Sequence, residues 1–128
     1  MENTFFAPQL YIKIGVGDIS FYTDGLGAVE LWRLTNDDGS LHVAELSIHG
    51  ALFHIHEEKP GSEKVEPIKN KGITTLLGLF VEDVDAVMSQ ALNAGATLLN
   101  PVKNYDYGYR QGEFKDPFGY HWMIETKI

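Results

Sequence analysis

The side chains best suited to chemistry in this chain fall into two groups: Glu45, His54 and His56 in the first half, and His121 and Glu125 flanking Met123 near the C-terminus. An imidazole beside a carboxylate can serve as a general base near neutral pH. A His-x-His pair such as His54 and His56 can also hold a metal ion, although that spacing alone is common. Cysteine is absent, which removes thiolate nucleophiles, disulfides and zinc–thiolate sites together. Ser47 stands two residues from Glu45 with no serine motif around it, so no nucleophile accompanies the pair. A further cluster, Tyr105, Tyr107, Tyr109 and Arg110, has the composition to stack on or cover a planar molecule. Its competing reading is a tyrosine-rich turn in which Arg110 pairs with a carboxylate.

Alternating residues predict the strands that would position the first group. In Leu41 to Ile48, Ala44, Leu46 and Ile48 alternate with Val43, Glu45 and Ser47; in Ala51 to His56, Ala51, Phe53 and Ile55 alternate with Leu52, His54 and His56. His49-Gly50 fits a two-residue hairpin turn, which pairs Ile48 with Ala51, Leu46 with Phe53 and Glu45 with His54. Apolar residues then share one face, beneath a helix, and Glu45 meets His54 on the other. The same parity puts Leu10, Ile12 and Ile14 under the helix and Tyr11 and Lys13 on the polar side. In the last strand Trp122 and Ile124 go to the core, and His121, Met123 and Glu125 share the side that carries His54. The neighbours of Trp32 do not settle its face.

At 128 residues, 44% of them hydrophobic, the chain is long enough for one domain with its own core and too short for two conventional ones. Ten Lys and Arg against eighteen Asp and Glu give a net charge of −8, which repels a phosphate backbone and argues against nucleic acid. No apolar run approaches the ~20 residues that span a bilayer, and the start lacks a basic segment followed by an apolar one, so a cytoplasmic protein is expected. Two segments resemble each other: Val16-Gly17-Asp18-Ile19 leading to Leu26-Gly27-Ala28, and Val81-Glu82-Asp83-Val84 leading to Ala94-Gly95-Ala96. Each reads as strand, helix, Gly-Ala exit, strand. The single domain 1–128 is therefore expected to hold two similar modules, 8–56 and 72–128, joined by a polar surface linker over 57–71. In the second module Asp83 is placed to cap a helix carrying Val84, Val87, Met88, Ala91 and Leu92, with Gly95 at its exit.

The turn Asp116-Pro117-Phe118-Gly119 running into the strand Tyr120 to Glu125 resembles the vicinal oxygen chelate superfamily of glyoxalases, bleomycin-resistance proteins and dioxygenases. Phe21-Tyr22, the His-x-Ala-Glu-Leu strand from His42, Val81-Glu82-Asp83-Val84-Asp85 and Tyr107-Gly108-Tyr109-Arg110 extend the resemblance over nearly the whole chain, nearest the bleomycin-resistance and PhnB-like branches. The resemblance implies an α+β fold of two βαβββ modules forming a curled mixed or antiparallel sheet around a cleft. It also implies a homodimer, with modules paired within a chain or exchanged between chains.

Catalytic members of such a family are expected to bind a divalent metal through one ligand from each of four strands. Here the matching positions are Tyr11 or Ala7, then His54, a residue near Leu76, and Met123. Only His54 is a natural ligand for a hard or borderline cation. No standard metal cofactor is therefore expected; a divergent divalent site would have to draw on His54, His56, His121 and Glu125. The function expected from these residues is cleft binding of a small, possibly aromatic, organic molecule. Tyr11, Trp32, His54, His56, Tyr107, Tyr109, Arg110, His121, Met123 and Glu125 are its candidate contacts. The alternative is a lyase or isomerase, metal-dependent or acid–base, that uses His54 with Glu45. A subunit recognising another protein through its acidic surface is a third class, for which no specific feature stands out.

Overall fold

The computed structural model describes residues 3–69 and 72–128. In the first module, β1 (Gln9–Ile12) is followed by α1 (Ser20–Leu26), β2 (Val29–Thr35), β3 (Leu41–Ile48) and β4 (Ala51–Glu57). In the second, β5 (Leu77–Phe80) precedes α2 (Val84–Asn93), β6 (Thr97–Tyr105), β7 (Tyr109–Lys115) and β8 (His121–Lys127). A 3-10 turn at Pro67–Lys69 interrupts the connection between them. No helix among the described residues is long and apolar enough to cross a membrane.

The local patterns act as their chemistry dictates. His49 and Gly50 take φ of 49° and 94°, the positive angles that a tight hairpin turn needs to match strand twist. The resulting register pairs Ile48 with Ala51, Leu46 with Phe53 and Glu45 with His54. The Asp83 side chain accepts a hydrogen bond from the Ala86 N–H and caps α2. At the other end Gly95 leaves the helix with φ of 118°. One expectation fails at this level: β1 ends at Ile12, and Ile14 lies beyond it, exposed rather than beneath a helix.

The expected curled sheet around a cleft is also corrected. The strands form two separate four-stranded mixed sheets, ordered β1-β4-β3-β2 and β5-β8-β7-β6, and neither closes on itself. β1 runs parallel to β4 and β5 parallel to β8, with the remaining pairs antiparallel. The apolar faces of both sheets turn inward onto one shared core. Phe53 of β4 meets Trp122 of β8 with ring centroids 5.9 Å apart, and Tyr22 of α1 touches both rings. Helices α1 and α2 also contact each other directly. An apolar stripe must be buried against something, and here the two modules bury theirs against one another. Their polar faces consequently lie on the outer sides of this shared core.

Candidate functional site

The outer face of the first sheet gathers residues from all four of its strands. Parallel pairing of β1 with β4 sets Gln9 beside His54 and Tyr11 beside His56, and the β3–β4 hairpin sets Glu45 opposite His54. A bulge in β2 between Glu30 and Trp32 brings Trp32 opposite Glu45. Trp32, whose face the alternation left open, therefore lies on this polar side. The ambiguity was physical: a bulge shifts side-chain parity by one residue and leaves no simple period to read.

Contacts on this face are specific. His54 Nε2 lies 2.8 Å from Glu45 Oε2, and His56 Nε2 lies 2.6 Å from Gln9 Oε1. Tyr11 stacks on His56 at 5.0 Å between centroids, while Trp32 presents itself edge-on to His54 at 6.1 Å. Burial is the main force holding His56 below its usual value of 6.5, followed by the positive charges of His54, His42, Lys64 and Lys59. A depression of ≈ 360 Å³ adjoins this cluster, lined by Tyr11, His42, His56, Glu57 and Lys64 among others. On its wall, the His42 hydrogen bond, 2.9 Å long, lowers the Glu57 carboxyl below its normal range. Aromatic planes, a stacked imidazole and a carboxylate-held imidazole thus stand side by side.

The outer face of the second sheet carries the other candidates. Tyr105, Tyr107 and Tyr109 form a ladder with centroid spacings of 5.3 and 6.0 Å. The Tyr107 hydroxyl donates to Gln111 Oε1, and Gln111 Nε2 donates to Glu125 Oε1 at 2.7 Å. Desolvation of its hydroxyl, followed by the charges of Tyr105, Glu125 and Asp106, raises the Tyr107 phenol. Met123 is flanked by Gly78 and Glu113, and His121 Nδ1 lies 3.2 Å from Glu113 Oε2. Arg110 is engaged elsewhere, forking onto Asp85 of α2 at 2.8 and 2.9 Å and donating to Asn104.

Tyr11, Trp32, Glu45, His54 and His56 thus come together on the first sheet, whereas Tyr107, Tyr109, His121, Met123 and Glu125 belong to the second sheet and its hairpin. The divergent metal set divides the same way, with His54 and His56 on the first sheet and His121 and Glu125 on the second. Among the described residues no group of three or more His, Asp or Glu is placed to hold a metal ion.

Two features escaped sequence reasoning. Asp116 is buried beneath four donors: the Tyr22 hydroxyl at 2.6 Å, Trp122 Nε1 at 3.0 Å and the N–H groups of Phe118 and Tyr120 at 2.8 and 3.0 Å. The Asp-Pro-Phe-Gly turn signalled the last two, but Tyr22 is ninety-four residues away. The other feature is a cavity of ≈ 630 Å³ at the seam of the modules, which includes His121 but none of the other candidates. Val65 and Pro67 on its wall belong to the connection read as a polar linker, and they were the available signal.

Comparison with known proteins agrees with this architecture. The family described as the Glyoxalase/Bleomycin resistance protein/Dioxygenase superfamily matches residues 17–124. A Mycobacterium bovis protein, Mb0911c, is 36% identical over 125 residues, covering 95% of this chain and 82% of its own length. TioX from Micromonospora sp. ML1 superposes with a TM-score of 0.72 at 18% identity, covering 97% of this chain and all of its own. The Arabidopsis thaliana At5g48480 product superposes at 0.70 with 23% identity, covering 96% of this chain and 98% of its own.

Proposed function

The chain belongs to the Glyoxalase/Bleomycin resistance protein/Dioxygenase superfamily, and on that premise we propose that it binds a small planar organic molecule on the outer face of its first sheet. The observation that carries this reading is the platform on that face: Tyr11 stacked on His56, with half-exposed Trp32 edge-on to His54. Such a platform offers stacking area at low entropic cost, and the Glu45–His54 pair adds a polar group to orient a ligand. The residue types do not fit a divalent ion, because Tyr11 and Met123 occupy strand positions where His or carboxylate would be needed, Gly78 beside Met123 has no side chain to offer, and Leu76 lies ahead of β5.

A second copy of the chain completes this reading. Val29, Trp32 and Leu34 share the first outer face with their partners Ser47, Glu45 and Val43, and Phe80 and Tyr107 stand on the second, all exposed. Contiguous apolar side chains on a sheet face in water favour a partner surface. One copy laid over another would close the platform from the solvent.

Titration with planar aromatic compounds, followed through Trp32 emission, tests the reading. Saturable quenching that disappears in Trp32→Ala and survives His54→Ala supports it. Quenching that is linear in ligand, or unaltered in the tryptophan variant, overturns it. The Glu45–His54 contact at 2.8 Å favours a second reading, an acid–base lyase or isomerase with His54 as base oriented by Glu45. That reading requires turnover that falls in both His54→Ala and Glu45→Gln, with the pH profile shifted in the latter.

A further inference from the structure

The ≈ 630 Å³ cavity lies between the modules rather than on the platform, and its walls come from three sources. Leu10 and Phe53 belong to the first module, Leu79 and Trp122 to the second, and Val65 and Pro67 to the connection. Its size falls within the roughly 300–1,000 Å³ typical of small-molecule sites. Phe53 and Trp122 on its wall are core residues, so the space reaches the buried interior.

We propose that this cavity is a second ligand site, separate from the outer-face platform, for an uncharged and predominantly apolar organic molecule. Charge is the deciding observation. In a chain that is 22% Asp, Glu, Lys and Arg, none of those among the described residues lines the cavity. A carboxylate, phosphate or ammonium group taken inside would find no counter-charge, and an unpaired buried charge is expensive. Most polar groups on the wall are already used. The Tyr120 hydroxyl donates to the Tyr11 carbonyl and accepts from the Tyr11 N–H, and Gln9 is held by the Ala7 carbonyl and His56. Among the described side chains there remain Thr74, Thr75 and His121, whose Nδ1 is turned to Glu113. A ligand with an apolar body and few hydrogen-bonding groups matches that supply. The rim adds a second argument: Phe6, Ile73 and Leu76 stand 92%, 39% and 42% exposed around the opening. Apolar side chains held in water at a mouth gain by covering an apolar guest. A guest of small-molecule dimensions fills a space that reaches the interior, whereas a flat protein surface covers only the rim.

Two fluorescent probes with one skeleton test the proposal: neutral N-phenyl-1-naphthylamine and its sulfonated relative 8-anilinonaphthalene-1-sulfonate. At this cavity the neutral probe is expected to bind saturably, and the sulfonate to bind more weakly by roughly tenfold or more. Thr75→Trp places a bulky ring at an exposed rim position and is expected to abolish the signal. Leu76→Asp does so by charge, should the first variant fail to fold. Trp32→Ala, on the outer face, leaves binding intact and so separates this site from the platform. Equal affinity for both probes, insensitivity to the rim variants, or loss of binding in Trp32→Ala overturns the proposal. So does neutral-probe binding that vanishes as self-association increases, since the rim would then be a contact between copies.

Discussion

Asp116 shows most directly what one residue does here. It is 2% exposed, and its carboxylate joins a turn of the second module to the Tyr22 hydroxyl of the first module's helix and the Trp122 indole. Replacement by Ala strands four donors in the core, and a loss on the order of 3 kcal/mol or more is expected in urea unfolding. Burial raises its pKa above 3.8 against the opposing hydrogen bonds of Tyr22, Trp122, Phe118 and Tyr120. The folded state therefore holds the proton more tightly than the unfolded chain. That advantage is complete below the ordinary value and is lost as pH climbs through the raised one. The stability of the wild type relative to Asp116→Asn should accordingly decline as pH rises from 3.8 through the raised value; a difference that grows with pH contradicts this assignment. His56 behaves oppositely. Its pKa is lowered, chiefly by burial, so its contribution is intact above the usual 6.5 and is lost as pH falls from there through the depressed value. The His56→Gln variant should flatten that limb of the stability profile, and NMR titration of the ring reads the shift itself.

At the scale of elements, the crossing of α1 and α2 is the joint most sensitive to size. α1 is only seven residues long, too short to persist by propensity alone. It is held by contact, including the Gln90 side chain donating to the Asp24 carbonyl from α2. A Cβ at Gly25 would sit 2.9 Å from a Phe21 ring carbon and 3.1 Å from the Ala94 Cβ. Gly25→Ala is expected to destabilise by roughly 1–3 kcal/mol through overpacking, against the ~1 kcal/mol that alanine ordinarily gains over glycine in a helix. Adding Ala94→Gly should restore part of the loss, because the two positions share one contact. A pair of purely additive effects in chemical denaturation would show that the clash is relieved elsewhere.

For the molecule as a whole, the back-to-back arrangement governs what each chain can do alone. Each outer face is open to solvent and carries exposed apolar residues, among them Leu34 at 55% and Phe80 at 64%. Sedimentation should reveal a dimer at micromolar protein, and Leu34→Glu or Phe80→Glu should shift it toward monomer. Since neither side chain is part of the core, the unfolding midpoint of the monomeric variant, compared at equal dilution, should change little. A wild type that stays monomeric at every concentration removes the second copy from the proposed function and leaves the platform open.

The hairpin register, the Asp83 cap, the core assignment of Trp122 and the pairing of Glu45 with His54 were all legible in the chain. They depend on neighbours within a few residues or on a period of two, and local sterics and hydrogen bonding determine them. The family followed from turns and motifs whose order is itself a property of the chain. The placement of one sheet against the other was decided only by tertiary structure. Alternation assigns His54 and His121 each to the side away from a helix, but parity is a statement about one sheet. When two apolar faces bury against each other, the sides away from the helices remain the faces of two separate sheets. The same packing brings Tyr22 onto Asp116 and encloses the seam cavity, because both depend on residues far apart in the chain that meet only when the modules share a core.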